Sequence, residues 1–354
     1  MTHKMSDKKI FIKKFTVFEN EEISFCNGIN VIIGENGTGK TQLLKLLYME
    51  SLYRSSNSTF LCGLPMLFGA DFNVGNCVMS SAFADDAMVA SGTIQHEDIT
   101  LSANFEKSPA GSLFPYQSSG VDSSFAVESR RIRPPIFIPT KDMLTMPNIT
   151  RIADKYKAAL DIDFTLTEII KKAENIIPAT TPEFVSQLAQ NIEGEIGGTV
   201  HFNENRKIFQ INKTNGSEIP FSGESEGYKK LGLLWRLLMN ESITEDTLLL
   251  WDEPEANISP KLLPLLVHVL LELAKRGVQI IITTHEYNLA RYFDIREDKD
   301  VSVLFHNFCK VSDTRVSCYS SPNYLQLPNN LLEKTSADLF NAVVTSALEV
   351  QGDE

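Results

Sequence analysis

Five cysteines in 354 residues, Cys26, Cys62, Cys77, Cys309 and Cys318, are too few and too scattered for a disulfide framework, and no C-x-x-C pair occurs to begin a zinc site. Long apolar runs are missing too. The longest, Leu262 to Leu271, is about half of the roughly 20 residues a membrane-spanning helix needs, and Pro264 and His268 interrupt it. The N-terminal MTHKMSDKKIFIKKF is basic but has no apolar core or small-residue cleavage site, which argues against a secretory leader. Positive charge is scarce: 33 Lys and Arg face 45 Asp and Glu, a net charge of −12, so the molecule as a whole repels polyanions. DNA is left only local patches, for which Arg130, Arg131, Arg133, Lys229 and Lys230 are candidates, with a solvated surface as the alternative. A reduced, cytoplasmic setting without a membrane is expected.

What is present is ordinary globular composition, 43% hydrophobic and 22% charged, enough to build a large core. Residues 9–34 read as strand, turn, strand and an apolar run that ends at a glycine-rich turn before the helical pattern Gln42 to Met49. Short mixed segments from about 58 to 106 suggest antiparallel strands. Ser108 to Ser124 reads as a loop leading to the strand IFIP. Helical periodicity, with Ile162, Leu166, Ile169 and Ile170 on one face, covers about 142–197 and is broken near Pro178 and Pro182.

A hairpin is expected over Gly198 to Ile211, then a helix over Gly227 to Met239, and then strand and helix in alternation up to a closing helix Thr335 to Leu348. This pattern predicts an α/β fold, a mixed central sheet flanked by helices, with an antiparallel β lobe and an inserted helical lobe. The expected division is an N-terminal lobe over 1–141, the helical insertion over 142–197 and a C-terminal lobe over 198–354.

Four segments carry chemistry. GENGTGKT, Gly34 to Thr41, fits G-x-x-x-x-G-K-[ST] between an apolar strand and a helix. Gly34, Gly37 and Gly39 let successive N–H groups curl around an anion at a helix N-terminus, with Asn36, Thr38 and Gln42 as further nucleotide-contact candidates. Lys40 is placed to reach the β- and γ-phosphates, and Thr41 to ligate magnesium. In TLLLWDEPEANISP, Asp252 and Glu253 end a buried-looking strand, where two adjacent carboxylates are costly unless used. Asp252 suits a hold on the metal and Glu253 a general base for the attacking water. QIIITTHE ends a second buried strand at His285, a γ-phosphate sensor or else a structural histidine. FSGESEGYKK places Ser225 and Gly227 before a helix, either as an anion-binding start or as ordinary caps.

In this order the four segments resemble ABC-type ATPases, with Walker A at Gly34 to Thr41, a signature at Ser225 to Lys229, Walker B at Leu248 to Glu253 and a switch histidine at His285. ESEGYK in place of LSGGQ, and ANISP after the acidic pair, are similar to the soluble SMC, RecF and OLD branch. The compact form resembles ATPase components of prokaryotic anti-phage defence systems such as Septu, PARIS and OLD-like systems without a Toprim domain. The resemblance implies an ATP- and Mg²⁺-dependent hydrolase. It also implies a homodimer, or a higher oligomer of dimers, that sandwiches two ATP molecules, with Ser225 and Gly227 acting in trans. A separate effector, for which a nuclease is the analogy, is implied as well. FIPTKDML occupies the place of the family's Q-loop without a glutamine, leaving Lys141 and Asp142 as candidates there. The alternative reading is an ATP-binding subunit of a membrane transport complex.

Overall fold

The computed structural model describes residues 9–56, 89–96, 99–107, 113–117, 134–150, 164–296, 300–312 and 315–352. The strands are β1 (Lys9–Phe15), β2 (Phe18–Ser24), β3 (Ile29–Gly34), β4 (Val89–His96), β5 (Ile99–Lys107), β6 (Leu113–Gln117), β7 (Pro135–Ile138), β8 (Gly198–Asn203), β9 (Ile208–Lys213), β10 (Glu218–Pro220), β11 (Leu248–Asp252), β12 (Gln279–Thr283), β13 (Val303–Ser312) and β14 (Arg315–Ser321). The helices are α1 (Lys40–Ser56), α2 (Phe164–Glu174), α3 (Glu183–Ile196), α4 (Glu226–Met239), α5 (Leu263–Lys275), α6 (Tyr287–Ile295) and α7 (Leu331–Gly352).

Eleven strands form one mixed sheet in the order β6-β5-β4-β1-β2-β14-β13-β3-β12-β11-β7, and β10-β9-β8 form a separate antiparallel sheet. The β13-β3-β12-β11-β7 half is parallel. Its central strands INVII, LLLWD and QIIIT are buried along their length, as a parallel sheet covered on both faces requires. Alternation along each strand sends side chains to two cores. Ile29, Val31, Ile33, Leu249, Trp251, Ile280 and Ile282 enter one, and Ile32, Leu248, Leu250 and Ile281 the other. The second core is closed by α1 through Leu43, Leu44, Leu46 and Leu47, each fully or almost fully buried and each worth about 2 kcal/mol of transfer free energy.

On the opposite face α4 and α5 pack with α2, α3 and the small sheet into a single apolar cluster. α2, α3 and the small sheet are tied to α4 by polar bonds as well. The Trp235 indole donates to Glu193 at 2.8 Å, and the Arg236 guanidinium donates to the carbonyls of Ala173, Asn175 and Val200. The helix break expected near Pro178 and Pro182 lies between α2 and α3.

Three expectations differ in detail. The Ser108–Ser124 segment, read as loop, contains β6, which pairs with β5 and extends the main sheet. The hairpin gains a third strand, β10. The closing helix runs over Leu331–Gly352 rather than Thr335–Leu348. Ile162, Arg130, Arg131, Arg133 and the stretch 57–88 lie outside the described residues. Among the described residues no helix is long and apolar enough to cross a membrane.

Candidate functional site

The glycine loop links β3 to α1. Gly34, Gly37 and Gly39 have φ of 144°, 78° and 85°, a region that side chains resist. At Gly34 the fit is closed as well, since a Cβ would stand 2.4 Å from the Phe308 carbonyl oxygen. Thr38 is buried and donates its hydroxyl to the Glu35 carbonyl at 2.8 Å, pinning the turn from inside. Asn36 and Gly37 are exposed at its tip. Lys40, the first residue of α1, folds back over the loop and donates from Nζ to the carbonyls of Gly34 and Glu35 at 2.9 and 2.8 Å. Burial lowers its pKa to about 8, against the opposing pull of Glu253, Asp252, Glu255 and Glu35. Gln42 is half-buried, and its Oε1 is buried without a hydrogen-bond partner.

Parallel pairing brings the end of β11 beside β12 and β7. Asp252, 7% exposed, accepts three hydroxyls there: Thr41 at 3.1 and 2.9 Å, Thr140 at 3.0 Å and Thr283 at 2.5 Å. Glu253 follows in the left-handed region, φ 48°, a costly backbone for this residue type. It is held there by its N–H to the Thr283 carbonyl and hydroxyl, at 3.2 and 3.1 Å, and by Lys230 Nζ donating to its carbonyl at 2.8 Å. Its Oε1 lies 3.2 Å from Nε2 of His285. Burial and the Lys40 cation lower the His285 pKa more than Glu253 and Asp252 raise it, so the ring is mainly neutral at pH 7.

Lys40, Thr41, Asp252, Glu253 and His285 thus share one cleft at the carboxyl ends of the parallel strands, where open α/β sheets bind ligands. Ser225 and Gly227 are elsewhere. Ser225 caps α4, its hydroxyl accepting the Tyr228 N–H at 3.4 Å. Gly227 is buried against the loop after β11, where a Cβ would stand 3.0 Å from the Asn257 carbonyl oxygen. Among the described residues neither hydrogen-bonds the glycine loop.

One sequence expectation is corrected. Lys229 and Lys230 are each 5% exposed, one paired with Glu226 at 2.6 Å and the other committed to the Glu253 carbonyl, so neither is free for a polyanion. In FIPTKDML it is Thr140 that reaches Asp252. Lys141 is exposed, and the Asp142 carboxylate is used in its own turn, accepting from the N–H groups of Leu144 and Thr145. Thr140, Thr283, Thr284 and Glu255 were not singled out from sequence, and Lys230 was only as a polyanion contact. The adjacent threonines of IIITTHE at a strand end were the one available signal.

The donor set of a threonine hydroxyl and a buried carboxylate, all hard oxygen, fits Mg²⁺. Among the described residues no cluster of three His, Cys, Asp or Glu could cage a metal without further ligands.

Residues 103–291 match the family model described as "AAA domain, putative AbiEii toxin, Type IV TA system", and residues 9–58 match a further AAA-domain model. The chain is 29% identical over 103 residues to the DNA replication and repair protein RecF of Thermoanaerobacter sp. (strain X514), covering 28% of this chain and 27% of that protein. It is 29% identical over 118 residues to the L-cystine import ATP-binding protein TcyN of Bacillus subtilis (strain 168), covering 33% and 40%. The chain therefore spans less than half the length of these curated relatives. Among solved structures, an SMC head bound to the C-winged helix domain of ScpA superposes with a TM-score of 0.50 at 14% identity, covering 92% of this chain and 98% of that one. The fold is that of an SMC head.

Proposed function

Because the chain belongs to the AAA-domain family whose model matches residues 103–291, we propose that it binds and hydrolyses ATP, and that two copies close around two nucleotides to control a separate effector. One observation carries the reading: Lys40, the Thr41–Asp252 pair and the Glu253–His285 pair share one cleft at the mouth of a glycine loop. Loop N–H groups between Gly34 and Thr41 bind the phosphates. Lys40 exchanges the Gly34 and Glu35 carbonyls for β- and γ-phosphate oxygens, which offset its burial. Asn36, Thr38 and Gln42 complete the nucleotide contacts.

Thr41 and Asp252 would hold Mg²⁺, which when bound neutralises phosphate charge. Glu253 accepts the proton of the attacking water, and the neutral imidazole of His285 hydrogen-bonds the terminal phosphate and steadies that water. Ser225 and Gly227, at the start of α4 where Ser225 caps the helix, serve the nucleotide of the facing copy. The effector acts in anti-phage defence or DNA processing, a nuclease encoded as another chain being the analogue.

The test is Glu253→Gln, followed by phosphate release and by a nucleotide-binding titration with Mg²⁺. Turnover is expected to fall about 10²- to 10³-fold while ATP still binds and leaves the variant more slowly than the ADP formed by wild type. Unchanged turnover removes Glu253 from the role of base.

A further inference from the structure

Glu255 lies two residues beyond Glu253 and points back at the segment that carries His285. Its Oε1 accepts the Thr284 hydroxyl at 2.6 Å and the His285 N–H at 3.2 Å, and its Oε2 is buried without a hydrogen-bond partner. Burial holds the carboxyl above its ordinary pKa. A carboxylic group in such a place costs stability unless its position is used. The loop around it is closed by backbone bonds from Ala256 to Glu253 and from Ile258 to Glu255, at 3.1 and 2.9 Å. Glu255 therefore sits on a rigid turn and fixes the backbone of the neighbouring strand end.

We propose that Glu255 is a positioning residue, which through Thr284 and the His285 N–H sets the imidazole at its distance from Glu253. The inference rests on the nucleotide-site reading above. Glu255 bonds the Thr284 hydroxyl and the His285 backbone, so its loss is expected to act on the chemical step and to leave nucleotide binding alone.

The experiment uses the full chain with Glu255→Ala, Glu255→Gln and Thr284→Val. Glu255→Ala is expected to lower kcat about 10- to 100-fold with the affinity for ATP kept, as misplacement of a catalytic group does. Glu255→Gln keeps an acceptor oxygen and restores most of kcat, and Thr284→Val, which removes one of two donors, falls between. In selectively labelled protein the His285 ring resonances move in Glu255→Ala and return in Glu255→Gln. An unchanged kcat in Glu255→Ala, a loss confined to KM, or a Gln variant as impaired as Ala overturns the proposal. A wild-type chain without turnover would sink the ATPase reading alone, since the ring resonances still decide the role of Glu255.

A separate observation concerns α7. Its first turn borders the cleft, Leu331, Leu332 and Lys334 lining a cavity with Gly34, Glu35 and His285. Beyond that turn it stands free, with Leu339, Phe340, Val343 and Leu348 between 60% and 68% exposed and Val344 at 40%. Those five fall on one face of the helix with Ala347, while Asp338, Asn341 and Thr345 lie on the other. Val343, Val344, Thr345 and Asn341 are weak helix formers, and such a segment is marginally helical without a covering partner.

The apolar face carries no ionisable group, so two copies of a chain of net charge −12 can bring it together without opposing like charges. Its exposed apolar side chains recur at helical spacing over Leu339 to Leu348, the pattern of a seam against a second helix. We infer that α7 pairs with α7 of a second copy, holding a dimer before nucleotide binds. Light scattering on the nucleotide-free chain is expected to give a dimer for wild type and for Lys40→Ala, and a monomer for Phe340→Glu combined with Val343→Glu, which still unfolds cooperatively as a folded chain does. A monomeric nucleotide-free wild type, a double variant that stays dimeric, or a partner of another kind on this face overturns the inference. Failure of ATP to bind would not touch it.

Discussion

The Thr41 hydroxyl on α1 donates to both carboxylate oxygens of Asp252 at the end of β11, at 3.1 and 2.9 Å, joining positions 211 residues apart. Thr140 and Thr283 converge on the same carboxylate from two other elements. Asp252→Ala leaves three hydroxyls without their acceptor and is expected to cost about 1–3 kcal/mol. It should also remove the dependence of nucleotide affinity on Mg²⁺, while Mg²⁺-free binding through Lys40 persists. Urea unfolding and titrations with and without the metal measure the two effects. An Mg²⁺ dependence equal to wild type would take Asp252 out of the metal site.

Lys40 gives a pH signature with a definite sign. Its pKa falls from the ordinary 10.5 to about 8 in the folded chain, so between pH 8 and 10.5 the unfolded chain binds more protons. Stability from this group must then rise with pH across that window, because a penalty fully present below pH 8 is relieved above 10.5. The unfolding free energy of wild type relative to Lys40→Met is expected to improve between pH 8 and 10 in nucleotide-free protein. A flat difference would mean that Lys40 titrates normally.

Why some of this was legible in the sequence and some was not follows from the range of each signal. β3, β11 and β12 were readable because a doubly covered parallel strand needs a short, continuous apolar run, and the glycine loop because its backbone constraint is local. Lys40 and Thr41 were readable from the glycine loop that precedes them, and Asp252, Glu253 and His285 because polar groups that end a buried strand are costly unless used. Thr140, Thr283 and Lys230 matter only through what the register sets beside them, and a threonine or lysine in isolation carries no such mark. The solvated reading of Lys229 and Lys230 failed because charge was counted without the helix face on which it lies: α4 is packed on that side against the loop after β11.

Arg236 tests how far α2, α3 and the small sheet share their stability with the main sheet. Its guanidinium reaches three backbone carbonyls, of Ala173 in the last turn of α2, of Asn175 just beyond it and of Val200 on β8, and it is 6% exposed. Arg236→Met keeps much of the apolar stem but strands those carbonyls, for an expected loss of about 3 kcal/mol. If α2 and the small sheet fold with the body, circular dichroism and tryptophan fluorescence, which reports Trp235 bonded to Glu193 together with the buried Trp251 of β11, shift to lower denaturant together. Two separate transitions would instead show that these elements unfold by themselves.

Gly37 and Gly39 separate backbone strain from steric closure within one loop. Both have positive φ, 78° and 85°, but a Cβ at Gly37 meets nothing within 4 Å, whereas at Gly39 it would stand 2.8 Å from Val17 Cγ2 and from Phe18 Cζ. Phe18 cannot easily give way, since it is fully buried and packed edge-on against Phe308 at 5.7 Å. Gly37→Ala is therefore expected to cost about 1 kcal/mol from backbone strain alone. Gly39→Ala adds overpacking of a further 1–3 kcal/mol or so. Chemical denaturation of the two variants checks the order. Equal losses would mean that the β1–β2 turn yields to the extra methyl, and that the seat of the glycine loop on Phe18 is softer than its packing implies.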